Sequence, residues 1–183
     1  MAESGGPAPV LILGIGNVIL TDEGFGVRCA EAFASRFRFP PHVSVVDGGT
    51  QGLNLLSLVE DAARVLVFDA INFSLPPATL KVIEGDEIPR FVSSGKLSLH
   101  QTGFQDLLAF ASLRDRLPPE ICLVGIQPVS LELGIGLSPE VSAKVDDAVG
   151  LGLVRLAAWG IRPEPALRSA APPDPAALPR MEF

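Results

Sequence analysis

Apolar residues fall along this chain in two alternating rhythms. Short, nearly continuous apolar runs occupy Val10–Ile15, Val43–Asp47, Arg64–Asp69 and Ile121–Ile126. Such runs suit strands buried on both faces of a parallel sheet. Between them apolar residues recur at the helical period. Phe25, Cys29, Ala32, Phe33 and Phe37 share one face of a helix predicted from about Glu23 to Phe37. Leu53, Leu56 and Val59 mark a second helix, and Phe104, Leu107, Leu108 and Ala111 a third from about Thr102 to Leu113. A last helix is expected from Pro139 to Trp159, with Ser138 as its N-cap.

The breakers fit this order. Pro40–Pro41 ends the first helix, and Pro118–Pro119 precedes the run at Ile121. Thr79–Glu84 alternates apolar with polar positions, as an edge strand with one exposed face would. The stretch from Gly85 to Gln101 reads as mostly irregular, and Pro128 to Pro139 as a loop containing Leu131-Glu132-Leu133-Gly134. Strand, helix, strand, helix, strand is the rhythm of an α/β fold. The expected architecture is a three-layer sandwich, a mostly parallel twisted sheet of about five strands with helices on both faces. It fills a single domain over residues 1–161, and residues 162–183 form a Pro/Ala-rich tail expected to be flexible.

Composition narrows the function. The 183 residues are 48% hydrophobic and 19% charged, the balance of a globular chain. A formal net charge of −7 argues against affinity for phosphate backbones or anionic membranes, so neither a nucleic acid nor a membrane is an expected partner. Cys29 and Cys122 stand far apart and read as small buried apolar residues, which suits a reducing compartment. The N-terminal residues lack the basic region of a secretory signal, and the apolar runs are too short to span a bilayer. A cytoplasmic location is expected.

The candidate chemistry clusters around the first strand. Gly14 and Gly16 follow an apolar run as in a dinucleotide fingerprint, but Ile19 replaces the third glycine. Asp22 and Glu23 would also place negative charge where a pyrophosphate should lie. Either Thr21 or Asp22 is a candidate N-cap, and both acids suit the helix dipole. Asp69 ends an apolar run, where a buried charge is costly unless paired, protonated or bound to a cation; the alternative role is to cap a turn with Asn72. Of the two histidines, His42 reads as a surface residue, and His100, in S-L-H-Q-T-G, is either functional or a packing residue ahead of a helix. Together Glu23, Asp69 and His100 offer two carboxylates and an imidazole, a set suited to nickel, copper or zinc rather than magnesium. No H-E-x-x-H and no G-x-S-x-G occurs, which argues against a zincin and a serine hydrolase elbow.

Five motifs stand in order: G-I-G-N-V-I-L-T-D-E-G-F-G-V-R, D-G-G-T-Q-G, V-F-D-A, S-L-H-Q-T-G and L-V-G-I-Q-P. The chain from about Val10 to Ile161 thereby resembles the maturation endopeptidases of nickel–iron hydrogenases. The resemblance implies that Glu23, Asp69 and His100 bind nickel and carry the reaction. It implies that Asp47, Gly48, Gly49 and Thr50 contact the substrate. The implied partner is the precursor of a hydrogenase large subunit, whose C-terminal extension is removed by one cut once nickel is installed. Nickel would then come with the substrate rather than reside in the protease, and Asp22 is a candidate base. In a second mechanism Asp69 or Glu23 acts as an acid–base pair and nickel is only recognised. A non-catalytic chaperone sensing nickel loading, or a small-molecule-binding α/β protein, would be the alternatives.

Overall fold

Alternation inside the apolar runs divides the molecule into layers. In the computed structural model, which describes residues 6–93 and 104–166, β1 (Val10–Ile15), β3 (Val43–Gly49), β4 (Arg64–Ala70), β5 (Leu80–Glu84) and β6 (Glu120–Ile126) form one sheet. Its order is β3-β1-β4-β6-β5, parallel throughout except for β5, which runs antiparallel along the edge. The expected α/β sandwich is thus present.

Val10, Ile12, Leu66, Phe68, Cys122 and Val124 face one way. There they meet α1 (Phe25–Arg36) and α6 (Val145–Ala158), with the Phe33 ring 5.4 Å from that of Phe68 and tilted 36° against it. Leu11, Leu13, Val65, Val67 and Leu123 face the other way. They pack against α2 (Leu56–Asp61), α3 (Glu87–Ser93) and α4 (Phe104–Leu113). Neither face of the central strands is left to solvent, which is why they read as unbroken apolar runs.

Several local expectations are corrected. The second helix begins as a 3-10 turn over Gly52–Leu55, and its tighter winding shifts the phase: Leu55 is buried and Leu53 exposed. The irregular stretch after Gly85 contains α3. The last predicted helix is two, α5 (Pro139–Ser142) and α6, separated by a turn in which the Lys144 N–H reaches the Val141 carbonyl. Ser138 and Pro139 do occupy its N-cap and first position. His42 is half-buried, its carbonyl accepting from the Val10 N–H. Just past Ile161, β7 (Glu164–Pro165) pairs antiparallel with β2 (Phe37–Arg38) at the end of α1. Residues 167–183 of the predicted tail lie outside the described residues.

Candidate active site

The switch in strand order fixes where chemistry can gather. The chain leaves β1 toward β3 on one side, while β4, the other neighbour of β1, pairs with β6. A crevice therefore opens beyond the carboxyl ends of β1 and β4, the usual ligand position in an open α/β sheet. Glu23 follows β1 on a 3-10 turn, Thr21–Gly24, and Asp69 is the penultimate residue of β4.

Glycine backbone brings the two acids together. Gly26, in the first turn of α1, lies so close to the strand ends that a Cβ there would stand 2.2 Å from both the Ile15 and Phe68 carbonyl oxygens. Gly16 has a φ of +145°, and a Cβ on it would stand 1.7 Å from the Glu23 carbonyl oxygen. The turn carrying Glu23 is thus pressed onto the end of β1, beside the strand that carries Asp69.

Asp69 is buried, at 7% exposure. Burial pushes its carboxyl up to about 8 from 3.8, and the Glu23 charge pushes the same way. Hydrogen bonds from the Ala70 and Phe104 N–H groups partly oppose this rise. Asn72 does not share a cap with Asp69; its side chain accepts from the Ser74 N–H. A protonated buried acid beside a second carboxyl is an arrangement that a cation would relieve.

His100 lies outside the described residues, so its place relative to this pair rests on sequence. It stands four positions before Phe104 in the chain, and the Phe104 N–H is a donor to Asp69. Among the described residues no cluster of three His, Cys, Asp or Glu side chains could hold a metal ion. Of the three expected ligands, Glu23 and Asp69 are the two that lie within the described residues, close enough for the Glu23 charge to act on Asp69.

The D-G-G-T segment continues β3 to Gly49. Asp47 Oδ1 accepts from the Gly49 N–H at 2.9 Å, and the Gly49 carbonyl accepts from Gly16 at 3.0 Å. Thr50 is exposed beyond it. The segment is therefore tied to the loop that leaves β1.

Asp22 has no part in the crevice, which corrects its candidacy as a base. At 0% exposure it faces the loop before α5. It accepts from the Val129 and Ser130 N–H groups, both at 2.9 Å, from the Ser138 N–H at 2.7 Å and from the Ser138 hydroxyl at 3.0 Å. Thr21 likewise caps nothing. Its hydroxyl reaches the Ser130 and Glu132 carbonyls, each at 3.0 Å, from a strained φ of +41°. Sequence reasoning missed this structural role. The available signal was an apolar L-E-L-G-I stretch inside a predicted loop, which needs something to hold it.

Known proteins share this fold over nearly its whole length. The family model for HycI, hydrogenase maturation protease, matches residues 27–154, a span that includes Asp69 and His100 and begins just after Glu23. The hydrogenase expression/formation protein HoxM of Cupriavidus necator is 46% identical over 173 residues, covering 94% of this chain and 86% of that protein. The hydrogenase 2 maturation protease of Escherichia coli is 36% identical over 157 residues, covering 85% and 95%. The solved structure of the hydrogenase maturating endopeptidase HybD from E. coli superposes with a TM-score of 0.78 at 36% identity, over 86% of this chain and 97% of that one. With such matches in sequence and in fold, this chain belongs to the hydrogenase maturation proteases and is an endopeptidase of that family.

Proposed function

We propose that this endopeptidase removes the C-terminal extension from the nickel-loaded precursor of a nickel–iron hydrogenase large subunit. The observation that carries the reading is the Glu23–Asp69 pair: two acids at the switch-point crevice, one of them buried and holding its proton at neutral pH. Such a pair is suited to meeting a cation brought by the substrate, and engaging one displaces the Asp69 proton. His100 is the third donor. Oxygen and imidazole donors are appropriate for nickel, although the ion itself belongs to the substrate.

Bound in the substrate, nickel supplies Lewis acidity beside the scissile bond. This chain's own residues orient and gate. Glu23 and Asp69 position the loaded centre, and the Asp47–Thr50 segment, anchored to β1 through Gly16, contacts the precursor near the cut. A precursor without nickel offers these donors no cation to engage and is held poorly. The same donors thereby discriminate loaded from unloaded substrate. We place the reaction in the cytoplasm, a reducing setting in keeping with two free, buried cysteines.

The test is the intact mass of the precursor, nickel-loaded and nickel-free, after incubation with this protein. Loss of one discrete C-terminal peptide from the loaded form alone is expected. Cleavage of both forms would retain the protease and remove the nickel gate. Stable binding with no change in mass would favour a chaperone.

A further inference from the structure

Exposed apolar side chains are concentrated beside the crevice on one built loop. Leu133 is 82% and Ile135 90% exposed, and Ile19, Val129 and Leu131 are exposed with them. Two chain segments carry these residues, and backbone hydrogen bonds lock them together. The Gly134 N–H reaches the Ile19 carbonyl at 3.0 Å, and the Thr21 N–H reaches the Gly134 carbonyl at 3.0 Å.

The loop is tied down by side-chain as well as backbone hydrogen bonds. Buried Asp22 grips both its ends, at Val129–Ser130 and at Ser138, and Thr21 grips its middle. A fully buried carboxyl and a β-branched residue at positive φ are both costly. Both serve to fix a loop whose apolar side chains face water. Fixed, solvent-facing apolar groups of this kind mark an interaction surface.

We infer that the loop from Val129 to Ser138, together with Ile19, is the docking surface for the substrate protein, received by an apolar depression beside its C-terminal extension. This rests on the processing reading above and extends it from the cut to the partner's body. Continuity selects the occupant: Asp22, which anchors the loop, is the immediate neighbour of Glu23. A partner seated on the loop is therefore delivered to the crevice. Glu132 is the one charged residue between Val129 and Ser138, so recognition here is by apolar shape rather than by ion pairing. The protruding Leu133 and Ile135 are the apolar anchors that a partner's pocket buries.

The experiment compares the wild-type protein with the double variant Leu133→Ser, Ile135→Ser, whose exposed positions leave the core untouched. Precursor affinity is read by biolayer interferometry, initial cleavage rates against precursor concentration, and oligomeric state by sedimentation. We expect Kd and KM to rise at least about tenfold, with kcat within about twofold and sedimentation unchanged. Equal Kd and KM for variant and wild type would overturn the docking surface. So would a change in oligomeric state without a change in Kd, since the loop would then join copies of this chain. If the wild type binds through Leu133 and Ile135 but cuts nothing, the docking surface stands and the processing reading falls.

Discussion

Asp22 Oδ1 accepts a 2.7 Å hydrogen bond from the backbone N–H of Ser138, across 116 positions of sequence. Its neighbour Glu23 belongs instead to the crevice, where its charge raises the carboxyl of Asp69. Adjacent acids thus do unlike work, and substitution separates them. Asp22→Ala takes the acceptor from three partly buried backbone N–H groups and the Ser138 hydroxyl, and should destabilise by about 2–3 kcal/mol. Glu23→Gln should leave stability within about 0.5 kcal/mol and abolish precursor processing. Urea denaturation beside intact-mass assays checks both; equal losses of stability would refute the division of labour.

Gly26 is the point where helix and sheet touch through backbone alone. A methyl group there meets two carbonyl oxygens that belong to β1 and β4, neither of which can move without breaking its strand. Gly26→Ala should therefore cost several kcal/mol, chiefly as strain, and lift Glu23 away from Asp69. A drop in thermal midpoint together with loss of processing is the expected result. A stable, active variant would show that this contact does not set the site.

The Asp69 carboxyl gives the metal-free protein a pH signature. Its pKa is about 8 in the folded state and 3.8 without the fold, so the native state binds the extra proton between these values. This group's contribution to stability is thus fully present below about pH 3.8 and is lost as pH rises to about 8, by at most about 1.4 kcal/mol per pH unit. Asp69→Asn removes the dependence. The difference in unfolding free energy between variant and wild type should widen in favour of the variant from pH 5 to pH 8. A constant difference would mean that Asp69 titrates normally.

His100 is tested through function. His100→Ala should slow removal of the extension at least about 100-fold while leaving the thermal midpoint unchanged. Intact mass of the loaded precursor reads the first quantity and calorimetry the second. Full turnover by this variant would eliminate the histidine from the ligand set.

The parts of this protein that were legible in its sequence are those set by short-range rules. Val10–Ile15 reads as a strand with its observed bounds because both its faces are covered, and α4 reveals its buried face through four apolar residues at helical spacing. Glu23 and Asp69 were singled out as candidates by the helix start and the strand end at which they stand. Their proximity was expected from the crevice at the strand ends, but the glycine contacts that set it, between elements distant in sequence, were not legible. Asp22 was misjudged for the same reason, its partners being 107 to 116 positions away. The phase of the second helix was misread because a 3-10 turn leaves the same apolar letters in place while rotating them.

Both thiols lie inside the core, where burial pushes Cys122 up to about 12 and Cys29 higher still. Neither can offer a soft anionic sulfur at neutral pH. A protein equipped in this way is a poor thief of nickel. In the proposed ligand set, the oxygens of Glu23 and Asp69 and the imidazole of His100 would hold the ion less tightly than thiolates do. Within the proposed reaction it can inspect the metal of a loaded precursor and then leave it with its owner, so that proofreading an assembled centre does not strip it.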